Sequence, residues 1–332
     1  SSATSNAAAV ISDQTSPTIT ISGVDISTDS GTSSSDFITN TAAQTITGTL
    51  SAALASGDVV KGSVDNGSTW SDITSKVSGT TITWDSVTLS GSSTIKLKVV
   101  DAAGNEGTTV SQAYVLDTTA PTLTISGIDI SADTGTSATD FTTKTAAQTI
   151  TATLSGSLAA GDILYGSVDG GSTWTNVTSK ATGTVISWDG VTLSGTNSIQ
   201  FKVTDSAGND GSTASQAYVL DTTVAAPTMA LATDTGTSSS DNITSDATMN
   251  VTLASDVASW QYSLDGGSNW TTGSGTSFEL TANTVFGVGD IQIKQTDTAG
   301  NISSAVSNTA AITTDSTVAA PSIALATDTG TS

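Results

Sequence analysis

Carboxylates are the only groups in this chain that recur in numbers and spacing able to do chemistry. The 332 residues include no His, Cys or Arg, 8 Lys, and 30 acids that are nearly all Asp, the two Glu being Glu106 and Glu279. Carboxylates without His or Cys leave two chemistries. One is the paired acid and base of glycoside hydrolysis. The other is capture of a hard cation by oxygen ligands, for which flexible loops of Asp, Asn and backbone carbonyls suit Ca²⁺ better than Mg²⁺; Zn²⁺ and copper want His or Cys. A catalytic pair belongs to one domain, whereas acids that return in every repeat are scaffolding. The acids here return, so the sequence reads as a non-enzyme. The net charge of −22 argues against nucleic acid and anionic lipid surfaces. No run of eighteen apolar residues is present, so no membrane insertion by this segment is expected.

The acids sit in three motifs that recur in fixed order. A linker motif reads DQTSP at Asp13, DTTAP at Asp117, DTTVAAP at Asp221 and DSTVAAP at Asp315, at spacings of 104, 104 and 94. A first-loop motif reads DSGTSSSD (Asp29–Asp36), DTGTSATD (Asp133–Asp140), DTGTSSSD (Asp234–Asp241) and a truncated DTGTS from Asp328. A last-loop motif reads DAAGN (Asp101–Asn105), DSAGN (Asp205–Asn209) and DTAGN (Asp297–Asn301). The first two repeats align without gaps at roughly two-thirds identity. Five segments follow: 1–12 as the last strand of a preceding repeat, 13–116, 117–220 and 221–314 as three full repeats, and 315–332 as the start of a following one. The opening SSATSNAAAVIS has neither a basic segment nor an apolar core segment. The chain is expected to be a slice of a longer array.

The elements that must position these acids are strands. In the first repeat, Thr18–Ser22 alternates apolar and polar, and a long polar loop follows it. Gln44–Leu50, Asp58–Val64, a return strand near Trp70, Thr80–Trp84, Thr94–Val100 and Gln112–Leu116 complete about seven strands. Asp65-Asn66-Gly67 is a hairpin turn, as are its Asp-Gly-Gly counterparts. The fold class is all-β: tandem immunoglobulin-like β-sandwich domains in an end-to-end rod. Trp70 and Trp84, and Trp260 and Trp270 in the third repeat, are expected in cores.

That strand order fixes the poles. The first loop lies at the C-terminal pole of its repeat and the last loop at the N-terminal pole. First-loop acids of one repeat, the linker Asp and last-loop acids of the next repeat then meet. At one junction the set is Asp25, Asp29 and Asp36 with Asp117, Asp205 and Asn209. At the next it is Asp129, Asp133 and Asp140 with Asp221, Asp297 and Asn301. At the ends stand incomplete sets, Asp13 with Asp101 and Asn105, and Asp234 and Asp241 with Asp315. Carboxylates this close repel one another, and Ca²⁺ resolves the repulsion. Any single Asp is equally at home as a turn or capping residue.

The three motifs together resemble the bacterial immunoglobulin-like repeats of giant repeats-in-toxin adhesins. The period of 104 is most similar to the extender repeats of ice-binding and biofilm adhesins of marine bacteria. The resemblance implies a monomeric stalk outside a Gram-negative cell, exported by type I secretion and tethered at the outer membrane through another part of the protein. It implies neighbouring repeats as partners, linkers rigidified by Ca²⁺, and a separate ligand-binding domain held away from the cell. The alternative is that the repeats themselves bind a glycan, ice or a host-surface ligand. Thr is abundant enough for an ice-binding array, but its positions follow no short period.

Overall fold

The computed structural model describes residues 12–324 and 330. The expected strand at 1–12 lies outside the described residues save for Ser12, and so do residues 325–332 save for Gly330. Among the described residues no helix is long and apolar enough to cross a membrane. Regular structure is nearly all strand, with three-residue 3₁₀ turns at Thr74–Lys76 and Thr178–Lys180.

The first repeat has nine strands: β1 (Ile21–Ile26), β2 (Ile38–Thr39), β3 (Ala43–Leu50), β4 (Val59–Ser63), β5 (Ser71–Asp72), β6 (Val77–Ser78), β7 (Thr81–Thr88), β8 (Ser92–Val100) and β9 (Val110–Leu116). They form a four-stranded sheet, β1-β3-β7-β6, and a five-stranded sheet, β2-β9-β8-β4-β5. In β3, Gln44, Ile46, Gly48 and Leu50 alternate inward, the period of a strand with one wet face. Between the sheets Ile46, Val60, Ile82, Leu97 and Val99 are fully buried. Trp84 packs on this core. Its indole lies across Gly62, where a Cβ would stand 2.5 Å from the ring.

Three expectations need correction. The first strand is Ile21–Ile26 rather than Thr18–Ser22. Ile21 and Ile26 both face inward although an odd spacing should put them on opposite faces. A register shift between Ser22 and Asp25 restores the parity, with Gly23 at φ 61° absorbing the extra residue. The polar loop hides a second strand, β2, which runs parallel to β9. Trp70 does not belong to the core cluster; its ring lies under Lys98, whose Nζ is 4.1 Å from the ring centroid.

The chain divides into two compact units. One comprises Ser1–Ile128, Thr151–Trp188 and Ile199–Gln216; the other comprises Asp129–Ile150, Asp189–Ser198 and Ala217–Ser332. The first unit holds the whole first repeat and the second unit the whole third repeat. The middle repeat contributes to both, and its sheets have the strand orders of the first.

The third repeat differs. Its strands form two three-stranded sheets and a four-stranded one. Its core is built on Met249, Trp260, Phe278, Phe286 and Ile293. Phe278 stacks on Tyr262 at 4.4 Å, and the Trp260 indole N–H donates to Gly275 O. Trp270, like Trp70, lies instead under a lysine, Lys294, at 3.9 Å.

Candidate metal centre

Each first loop is shaped around one aspartate. Asp29 Oδ2 accepts the Phe37 N–H at 2.9 Å, which holds Phe37 at φ 62°. That left-handed conformation costs energy for a bulky residue and persists only where neighbours fix it. Asp133 does the same for Phe141, and Asp234 for Asn242. The other oxygen is unusual. Oδ1 of Asp29, of Asp133 and of Asp234 is buried and accepts no hydrogen bond. A buried carboxylate oxygen without a donor costs on the order of 1–3 kcal/mol or more. Finding the same orphan in all three repeats makes it a property of the loop.

The loop also gathers carbonyls. A Cβ on Gly135 would stand 2.7 Å from Thr298 O, 2.8 Å from Thr142 O and 3.4 Å from Asp140 Oδ1. At Gly31 the same position is 2.4 Å from Ser206 O and 2.8 Å from Ile38 O. Oxygens converging on a space that only glycine leaves open are the kind of ligand a hard cation takes.

The first loops meet last loops within each unit. In the first unit the Thr32 N–H donates to Ser206 O at 3.2 Å, Ser30 Oγ to Ala207 O at 2.9 Å, and Asn40 Nδ2 to Gly208 O at 3.0 Å. In the second unit the Thr136 N–H donates to Thr298 O, Thr134 Oγ1 to Ala299 O, and Lys144 Nζ to Gly300 O at 2.6 Å.

The last-loop aspartates are satisfied turn formers. Asp205 Oδ1 accepts the Ala207 and Asn209 N–H groups, and its Oδ2 accepts Asn209 Nδ2. Asn209 Nδ2 also donates to the linker carbonyl Asp117 O at 2.8 Å. Asn301 makes the same bond to Asp221 O, and Asn105 to Asp13 O. These asparagines therefore tie each linker to the repeat that follows it. The Asn105 side-chain amide, foremost, holds the Asp101 carboxyl below its ordinary range.

Linker and last loop bring three carboxylates together. Asp221, Asp256 and Asp297 each offer an oxygen within 4.8 Å of the others, and Asp297 is fully buried. In the first unit their counterparts Asp117, Asp162 and Asp205 line a common cleft of about 330 Å³. Asp256 and Asp162, with Asp58 in the first repeat, were absent from the sequence-derived set. They precede the third long strand in every repeat, and the pole argument applied to that loop would have placed them beside the last loop.

The remaining candidates are dispersed. Asp25 and Asp129 lie on exposed strand positions and accept the N–H of Ile26 and Ile130. Asp36, Asp140 and Asp241 are exposed and accept the N–H two residues on. Asp13 and Asp315 cap their own linker turns. The hairpin aspartates are turn chemistry: Asp65 and Asp169 are held down to about 2 by their Thr69 and Thr173 hydroxyls, and Asp265 by the Asn269 amide.

The fold and the oxygen-rich loops define a class of repeat module, and the comparisons with known proteins bear on it. Residues 10–118, which span the first repeat, match the family model of the bacterial Ig-like domain. A search of the curated proteins finds no match. Among solved structures the chain is similar to a tetra-tandem repeat in the extending region of a large adhesion protein, at 19% identity, over 90% of this chain and 74% of that one, with a TM-score of 0.28. It is also similar to a Ca²⁺-stabilized adhesin that helps an Antarctic bacterium reach out and bind ice, at 19% identity, over 91% and 74%, with a TM-score of 0.37.

Proposed function

We propose that these repeats form a structural extender of a large bacterial cell-surface adhesin, a rod whose inter-repeat junctions bind Ca²⁺. The observation that carries this reading is the recurrence of unmatched oxygen at equivalent places. Three first loops each hold a buried carboxylate oxygen without a donor. Asp221, Asp256 and Asp297 crowd together at one linker. A satisfied turn needs neither feature.

The residues fit the ion. Asp221, Asp256 and Asp297, and in the first unit Asp117, Asp162 and Asp205, would hold Ca²⁺ between linker and repeat. Asp29 and Asp133 would hold it within the first loops, together with the carbonyls around Gly31 and Gly135. Bound there, Ca²⁺ supplies positive charge that offsets carboxylate repulsion and clamps loops distant in sequence. The acids left over keep the segment soluble and separate from its neighbours.

Extracellular calcium modules bind with dissociation constants on the order of 10⁻⁴–10⁻³ M. At about 10 mM Ca²⁺ each site then adds about 1.4–2.7 kcal/mol by mass action. For a domain of ordinary marginal stability that is a substantial share. In this reading the segment is extracellular, acts as a monomer, takes neighbouring repeats of its own chain as partners, and presents a separate ligand-binding domain. Small-angle X-ray scattering with melting curves, from EDTA to about 10 mM Ca²⁺, tests it. A longer, better-defined particle and a higher Tm with Ca²⁺ but not with equal Mg²⁺ are expected; no change in either would remove the mechanism.

A further inference from the structure

Residues that recur in every repeat serve the scaffold, so a residue set unique to one repeat invites a separate explanation. The middle repeat has such a set. Tyr165 and Lys202 face each other across paired strands, in register. Lys202 Nζ lies 5.9 Å from the Tyr165 ring centroid and 4.7 Å from that of Trp174. It donates to Asp210 Oδ2 at 2.7 Å, and Thr204 Oγ1 donates to Asp210 Oδ1 at 2.6 Å. The first repeat has Lys61 and Glu106 where the middle one has Tyr165 and Asp210; the third has Gln261 and Ile302. Only the middle repeat combines two aromatic rings with a neutralised lysine–aspartate pair.

These side chains line a cleft of about 280 Å³. Its far wall is the first loop of the preceding repeat, Ser30 to Thr32, fixed by the bonds to Ser206 and Ala207. The volume is at the small end of ligand pockets and suits a single ring with its substituents. Two aromatic walls offer apolar faces, while Lys202, Asp210 and Thr204 offer closely spaced donors and acceptors. An apolar ring face edged with hydroxyls complements that pattern. The charge selects further. Lys202 is paired with Asp210, and Asp205 adds a negative charge beside them, so the cleft does not favour an acidic sugar.

From this arrangement we infer that the Tyr165–Trp174–Lys202–Asp210 cleft is a binding site for one neutral pyranose unit. The site is separate from the junction acids, apart from its edge at Asp205, and is not needed for a stalk role. A chain with it makes a weak saccharide contact along its length.

Saturation-transfer NMR on the whole 332-residue chain tests this. The probes are the methyl glycosides of mannose, galactose and glucose, each at about 10 mM to reach millimolar affinities. Samples with Ca²⁺ and with EDTA are both run. Tyr165→Gln takes the residue that the third repeat uses at this position, so it is expected to fold normally, and a melting curve checks it. Asp210→Asn removes the partner of Lys202. Transfer to at least one glycoside is expected, falling at least about fivefold in both variants, the size of effect expected when aromatic or charge-assisted contacts are lost. No transfer to any glycoside in either sample, or equal transfer from the Tyr165→Gln variant, would overturn the assignment.

Discussion

The two first-loop to last-loop contacts use one scaffold with different hardware. In the first unit Asn40 reaches Gly208 O at 3.0 Å through a neutral amide. In the second, Lys144 reaches Gly300 O at 2.6 Å through an ammonium. The linkers differ too: DTTAP in the first, DTTVAAP in the second. The two extra residues are met by a core change. Gln295 is fully buried where the earlier repeats have Val99 and Val203, and its Nε2 donates to Ala225 O at 2.7 Å. The second contact thus carries a positive charge of its own and an added clamp on its linker. The comparison teaches that the fixed parts are the backbone turns and their aspartates, and that single side chains set the charge at each contact.

The largest expected effect comes from Asp297→Ala. It strips a buried carboxylate whose Oδ1 and Oδ2 accept the Asn301 N–H and Nδ2, both at 2.8 Å. Taking the acceptor from the part-buried Asn301 N–H and half the bonding from its Nδ2, which keeps Asp221 O, should cost about 1–3 kcal/mol, and any Ca²⁺ stabilisation of the third repeat should vanish with it. Thermal melts with and without Ca²⁺ read both. An unchanged calcium response in this variant would separate the linker acids from calcium.

A smaller effect is expected from exchanging the hardware. Lys144→Asn should make the second contact as calcium-dependent as the first, and Asn40→Lys should do the reverse. Each change is worth on the order of 1 kcal/mol, as for a partly exposed charge-assisted hydrogen bond. Hydrogen exchange of the Thr136 and Thr32 amides, which donate across the two contacts, gives the comparison directly. Equal calcium dependence in all variants would mean that Lys144 is incidental.

Gln295→Val should restore an ordinary core residue and release the linker. Global stability of the third repeat should move by no more than about 1 kcal/mol, since a lost hydrogen bond and a gained apolar contact offset each other. Exchange near Ala225 should rise. If it does not, the added clamp plays no part in holding the longer linker.

The smallest effect is one that both regions should share. Asp65, Asp169 and Asp265 are held at about 2, against an ordinary 3.8. The unfolded chain binds protons first as pH falls, so the stability these hairpins contribute is complete above about pH 4 and is lost towards pH 2. Acid melts should weaken all three repeats alike. A difference confined to one repeat would point to junction acids instead.

Much of the architecture was legible. Period-2 alternation in residues 44–50 and 94–100, and the hairpins at Asp65, Asp169 and Asp265, are local signals, and the strands stand there. The first strand departs from its expected place because a bulge at Gly23 breaks the period-2 pattern. The two-residue β2 has no pattern to read and exists through its pairing with β9. Trp70 departs from expectation because composition does not separate a core indole from one capped by a lysine. In the candidate site, linker and last loop adjoin through Asn209 and Asn301, and Asp256 joins them from a loop that carries no conspicuous motif. The orphaned oxygens of Asp29, Asp133 and Asp234 could not be read at all, since they depend on which donors the fold leaves out.

The most direct test of the central claim is a calcium-binding isotherm by titration calorimetry, on the wild-type chain and on Asp205→Asn/Asp297→Asn. Binding in the range of 10⁻⁴–10⁻³ M, with Mg²⁺ a weak competitor, is expected for the wild type, and fewer sites for the double variant. Identical isotherms, or no heat from the wild type, would contradict the assignment of these acids to calcium.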